Sequence, residues 1–454
     1  MRSSLLQYGL GALLALGSVG CNDYLRGTNL SGDPNNPTPA DATMDQLFVA
    51  AQTSLTSQMT GELARASCMF VQQCAGTDRQ YQAIGTYVVD AGVFASSFDR
   101  FYTGGGLTDL RVIQQKARTA PTPDSIHLGI AKVMEAYLIG TAADLWGDVP
   151  YSEAVDPVNH ATPRYDDQAA IYAALQAVLD DGIKGLQGST GVGPLANDLV
   201  YGGNKTKWLQ LAHMLKARYY LHVAEVDNTA YARALAEAQQ GISTAANDYL
   251  TYQGSDRNES NYWYQFQIVE RDSYMRMGKR LVDLMVARND PRLANYFSRA
   301  GNGQYAGANP GQPIDDNIMS NLSAARLDPA FRQPLATWAE NQMILAETKY
   351  RTADEPGALA DLNTERTAAG LPALVGITGT ALLDSIMAEK YVVTFQNMEA
   401  WSDYKRGCSP ALVPAAGAAN VIGRLPYSLN EVNTNPSVPS PEPARNDNDP
   451  NPCP

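Results

Sequence analysis

The sequence predicts an all-α fold in which tetratricopeptide-like helical hairpins support a large irregular, loop-rich face. Three observations predict it. Apolar residues recur at helical spacing through most of the chain, as in Ile126, Ile130, Val133, Tyr137 and Thr141. Two long stretches, Thr77 to Gly106 and Tyr249 to Pro334, break that period yet stay rich in aromatics, Arg and Gly. The helices come in pairs with small residues where they would cross, although no strict repeat of about 34 residues is visible.

In chain order, Arg2, the apolar run Leu5 to Leu16 and the small residues before Cys21 have the layout of an export signal over residues 1–20. Cys21 follows Ser18, Val19 and Gly20 as in a bacterial lipobox, so it is the expected lipidation site; an uncleaved anchor or a plain signal peptide is the alternative. Residues 21–40 are rich in Pro, Asn and Gly and read as a tether. Thr38 and Pro39 are placed to cap the first helix, which carries Met44, Leu47, Phe48, Ala51 and Leu55 to about Gln58; a second helix runs from about Gly61 to Cys74. Helix resumes at Asp109 to Arg118, and Thr122, Pro123 and Asp124 cap the one after it. Asp166 begins a helix with Ile171, Leu175, Val178, Gly182 and Leu186 inward; the next carries Trp208, Leu211, Leu215, Tyr219 and His222, and another spans Tyr231 to Ile242. Helices return at Ala336 to Thr352, Gly357 to Ala369 and Ala381 to Lys405. Residues 41–435 thus read as one helical domain. Residues 436–454, dominated by Pro and Asn/Asp, read as an extended tail that only Cys453 could pin.

The organising stretch is Ala136 to Asp156. A helix stops at Gly147 and Pro150, and Trp146, Val149 and Tyr151 crowd into a corner that must be packed. The phrase DLWGDVPYSEA, with IAKVMEAYLIG before it and PRYDDQAAIYAAL after it, resembles the SusD/RagB group of outer-membrane nutrient-binding lipoproteins. Asp290, Pro291, Arg292 and Tyr305, the segment IMAEKYVVTFQNMEAWSDYK and the segment RLPYSLNEVN extend the likeness over nearly the whole mature chain. The resemblance implies a surface-exposed, lipid-anchored outer-membrane protein that passes an oligomeric nutrient to a SusC-like TonB-dependent transporter and acts as its lid.

Composition bounds the alternatives. A formal net charge of −13 argues against nucleic acid and anionic lipid as partners. Beyond the leader no apolar run is long enough to span a bilayer, which leaves the lipid anchor as the membrane contact. Of the five cysteines, four remain after Cys21. They allow three pairings: proximity favours Cys68 with Cys74, which leaves Cys408 with Cys453, and four free thiols are the alternative.

No catalytic or cofactor motif stands out. The zinc-protease, nucleophile-elbow and phosphate-loop patterns are absent. His127, His160, His213 and His222 are too scattered for a metal site, and NDNDPN at Asn446 to Asn451 lacks the glycine and terminal glutamate of a calcium loop. Asp144 and Asp148 flank Trp146 like a glycosidase pair, but capping and loop hydrogen bonds explain them equally well.

What remains is aromatic surface, because sugar C–H faces stack on rings while hydroxyls need polar side chains beside them. The expected ligand-binding residues are Arg79, Gln80, Tyr81 and Tyr87 in the first irregular stretch, and Asn261, Tyr262, Trp263, Tyr264 and Tyr305 in the second. For each of these the other reading is a core aromatic holding a loop onto the helices. Trp146, Trp208, Trp338 and Trp401 are assigned to the core, so Trp263→Ala should weaken binding without unfolding and Trp146→Ala should unfold. The ligand is an oligosaccharide or a peptide; the competing function is a helical-repeat adaptor for proteins.

Overall fold

The computed structural model describes residues 41–453. The export signal, Cys21, the tether and the expected Thr38–Pro39 cap lie outside the described residues. The first described helix, α1 (Met44–Thr60), is capped instead by Thr43. The Thr43 hydroxyl accepts from Gln46 N–H while the Gln46 side chain accepts from Thr43 N–H, a reciprocal capping box. Gly61 ends α1, and α2 (Glu62–Phe70) turns back from it.

The helical array then builds by neighbours. It comprises α3 (Leu107–Thr119), α4 (Ser125–Trp146), α5 (Gln168–Gln187), α6 (Lys205–His222) and α7 (Ala230–Ala238). After the second irregular stretch, which holds α8 (Lys279–Ala287), come α9 (Trp338–Arg351), α10 (Glu355–Ala368), α11 (Gly379–Val393) and α12 (Glu399–Gly407). Each of α3 to α6 packs on its successor, α7 packs on α9, and α9 carries both α10 and α11. This is the stacking of hairpins that the helical spacing predicts. The long C-terminal helix expected over Ala381 to Lys405 is two helices, because Gln396 adopts a left-handed φ of 64° and breaks the run between α11 and α12.

Asp124 caps α4 by accepting from Ile126 and His127 N–H. This helix is buried on nearly every side, so it is the axis of the molecule, not an amphipathic surface helix. Close approach of α5 depends on glycine: a Cβ on Gly129 would stand 2.7 Å from the Gly182 carbonyl oxygen. Gly140 likewise leaves room for the Tyr219 ring, whose hydroxyl donates to Ala136 O at 2.7 Å. At the C-terminus of α4, Gly147 takes φ 77°, and Trp146 is fully buried between Phe98 and Phe101 with its N–H on Pro426 O.

Two short antiparallel ladders fasten the irregular stretches. Strand β1 (Cys74–Gly76) pairs with β3 (Met275–Met277), and β2 (Tyr249–Leu250) pairs with β4 (Pro334–Ala336). The first ladder joins the two stretches that sequence separates by some two hundred residues. A Cys68–Cys74 disulfide closes the turn before β1, and a Cys408–Cys453 disulfide holds the C-terminus.

The expectation of a tail fixed only by Cys453 is corrected. The tail has no regular structure, but it is fastened by polar contacts, which its composition of Asn, Asp and Glu supplies without apolar burial. Glu442 accepts from Arg424 and Tyr427 N–H, Asn446 donates to Asp144 O, Asn448 N–H donates to Gln168, and Asp449 meets Lys405.

Candidate functional site

A cavity of about 510 Å³ opens where the two irregular stretches meet the first hairpin. Its walls are the end of α1 and start of α2, the short helices 79–85 and 95–99, and the segment from Tyr262 to Arg271. Gly61 fixes the hairpin corner at its floor, since a Cβ there would lie 2.4 Å from Ser57 O.

The inner wall is a layered stack. Tyr81 stacks on Phe266 with ring centres 4.6 Å apart and planes inclined by 29°, and the Arg65 guanidinium sits 4.2 Å from the Phe266 ring centre. Arg65 Nε donates to the Tyr81 hydroxyl at 2.8 Å. Burial raises the Tyr81 phenol above its ordinary range, while the adjacent Arg65 pulls it back. Phe266 reaches this position because residues 265–270 form a π-helix, whose wider turn also leaves Ile268 and Val269 in solvent. Such turns recur at functional sites. Around the rim stand Gln80, Glu62, Arg100, Glu270 and Arg271. A second cavity of about 370 Å³ continues along α1 past Val49 and Thr53 to Tyr252, and Tyr262 lines both.

Of the residues expected at the site, Gln80, Tyr81 and Tyr262 line the cavity. Arg79 lies nearby, its guanidinium 5.9 Å from the Tyr274 ring. The expectation for Trp263 and Asn261 is corrected. Trp263 is fully buried in the core. Asn261 is buried too and caps the segment, accepting from Trp263 and Tyr264 N–H and donating to Phe331 O. An irregular stretch needs an anchor as well as a surface, and its largest apolar side chain supplies it. Tyr264 is half-buried without lining either cavity, Tyr87 packs against Phe70, and Tyr305 lies under Arg299 away from the cavity. Among the residues assigned to the core, Trp146, Trp208 and Trp401 are fully buried, whereas Trp338 is only partly so.

Sequence reasoning missed Arg65, Phe266, Arg100 and Arg271. Arg65 had a legible signal: it is a charge at a core position of GELARASCMF, where every other side chain after Glu62 is buried.

Asp144 is committed elsewhere. It accepts from Ser402 Oγ at 2.6 Å and pairs with Lys405 at 2.9 Å. Asp148 accepts from Gln168 N–H and lies with Asp167 and Asp447 in a carboxylate trio whose ligand atoms are within 4.8 Å of one another. Burial, together with that like charge, raises the Asp148 carboxyl.

The molecule is thus an all-α array of helical hairpins with a cavity on its irregular face. The chain belongs to the SusD-like family described as starch-binding and associating with the outer membrane, whose profile matches residues 34–358. Solved structures share the fold. A SusD/RagB family protein of Bacteroides thetaiotaomicron is 21% identical, with a TM-score of 0.71 over 87% of this chain and 95% of that one. A chitin-binding SusD homologue of Flavobacterium johnsoniae is 17% identical, with a TM-score of 0.73 over 86% and 93%. A further protein described as chitin-binding is 22% identical, with a TM-score of 0.71 over 85% and 94%. No curated protein matches the sequence. Among the described residues no helix is long and apolar enough to cross a membrane.

Proposed function

We propose that this protein is a lipid-anchored, surface-exposed glycan-binding subunit, attached through Cys21, that delivers oligosaccharide to a SusC-like TonB-dependent transporter. Family membership supports the carbohydrate and outer-membrane parts of this reading, and two structural neighbours are chitin-binding proteins. The observation that carries it here is the pair of cavities sharing Tyr262, together about the size that holds several sugar rings. Tyr252 and Tyr262 offer ring faces, and Gln80, Gln58 and Asn258 offer hydroxyl partners.

Binding without covalent chemistry is the mechanism. The interior occupation of Asp144 by Lys405 and Ser402 removes it from the acid–base pair that a glycosidase would require. Bound ligand favours the closed lid, and release inward follows reopening.

The test is extraction of the native protein in mild detergent, capture through a C-terminal tag, and titration of the product with oligosaccharides. A β-barrel recovered in equal amount, with a saccharide that binds, supports the reading. A lone protein that ignores every saccharide and captures other proteins overturns it in favour of an adaptor.

A further inference from the structure

Among the described residues, Arg65, a buried cation lining the 510 Å³ cavity, has no counter-ion. Arg65 is only 9% exposed, which is costly for a guanidinium unless it is paired. Its Nε is used by Tyr81, and Phe266 offers its ring face. Among the described residues no carboxylate lies within ion-pairing distance of it, and its two Nη atoms have no protein acceptor and stay open to the cavity. Other buried cations are satisfied within the protein: Arg218, Lys390, Lys405 and Arg406 each contact at least one carboxylate, and Arg326, which has none among the described residues, donates to Gln396 Oε1 and lies against three aromatic rings.

The rim adds to the imbalance. Arg100 is exposed and likewise has no carboxylate partner among the described residues, and Arg271 has only Glu270 at 4.0 Å. Of the carboxylates that line the cavity, Glu270 is exposed, and Glu62, half-buried, accepts from the Ser97 hydroxyl and is not ion-paired with Arg65. The planar fork of Arg65 is held from behind by a ring and a phenol, with its bidentate edge forward, which is the geometry that receives an oxyanion.

We infer that the cavity selects an acidic saccharide, one whose carboxylate or sulfate substituent docks on Arg65 with Arg100 assisting at the rim. This rests on the glycan-binding reading and narrows its ligand class. A neutral oligosaccharide would leave the Arg65 charge buried and uncompensated, whereas an oxyanion neutralises it.

The experiment is calorimetric titration of the full mature protein with three probes of equal length: an oligogalacturonide, a sulfated galacto-oligosaccharide and a chito-oligosaccharide. The expected result is that at least one acidic probe binds tenfold or more tighter than the neutral one and weakens severalfold between 20 and 500 mM salt. Arg65→Gln should reduce that affinity at least tenfold with the circular dichroism spectrum unchanged, and Arg100→Gln, at an exposed position, should reduce it severalfold. Preference between the carboxylate and sulfate probes identifies the source of the oxyanion. Equal or tighter binding of the chito-oligosaccharide, with Arg100→Gln silent, overturns the inference and leaves the glycan reading standing. Failure of all three probes to bind overturns both.

Discussion

Trp263 and Trp146 show why burial outranks sequence surroundings. Both rings are fully buried, so removal of either leaves a large cavity, and Trp→Ala typically costs about 3–5 kcal/mol. Trp263→Ala is therefore expected to lower the melting temperature about as much as Trp146→Ala, measured by thermal unfolding. A Trp263→Ala protein that melts like the parent would return this ring to the binding face. Asp248 gives a prediction with a pH signature. Its carboxyl accepts from Trp338 N–H, and burial raises it to about 6, with that hydrogen bond and Lys207 opposing the shift. Because the folded state holds this proton more tightly than the unfolded chain, its stabilising contribution is present below about pH 4 and is lost as pH rises through 6. Asp248→Asn keeps the acceptor and removes the charge. Urea unfolding should find it more stable than the parent by about 1–2 kcal/mol at pH 8 and indistinguishable from it at pH 4.

At the scale of elements, the DPR phrase and the C-terminal segment turn out to be charge connectors. Asp290 accepts from Arg288 and Arg292, and Arg292 reaches Glu365 on α10 and Glu389 on α11 at 3.0 and 2.6 Å. The second irregular stretch is thereby locked to the last hairpins. Along the axis, Arg218 bridges Glu340 and Glu399, His222 meets Glu399, and Lys390 joins Glu347 to Asp403. Removing one member strands the others in low dielectric, so Arg292→Met should cost about 3–5 kcal/mol. The pairwise origin is checked by a cycle with Glu389→Gln: the double variant should be less destabilised than the sum of the singles. The Cys408–Cys453 bond closes a loop of 45 residues and anchors the tail over the Trp146 corner. In the chain-entropy treatment its loss costs about 4 kcal/mol. Replacing both cysteines by serine should lower the chemical denaturation midpoint and expose Asn446 to Cys453 to protease.

For the whole molecule, the two parts differ in what holds them. The array has one extended apolar core running from Leu47 to Tyr427, with a smaller cluster among α9, α10 and α11. The irregular face shares that core through Trp263, Met275, Met277 and Phe297 and adds ladders, caps and cation–ring stacks nearer its surface, so its outer side chains can vary while the array keeps its shape. Variants at Gln80 or Tyr262 should consequently alter saccharide affinity severalfold with a melting shift of no more than a few degrees, measured by titration and thermal unfolding on the same preparations.

Local spacing and composition by themselves determined the helices, the packed corner and the all-α class, because a 3.6-residue apolar period and glycine stops act within a few residues. They also carried the family likeness. They did not decide which aromatics line the cavity. Trp263, Tyr81 and Tyr262 occupy similar sequence surroundings, and only the pairing of β1 with β3 and the π-turn at 265–270 bury the first, stack the second and leave the third half-buried in the cavity wall. Arg65 lines the cavity for the same reason. Its ring partner comes from Phe266, far away in sequence, and the balance between an unpaired charge and a cation–ring contact exists only once the chain has folded.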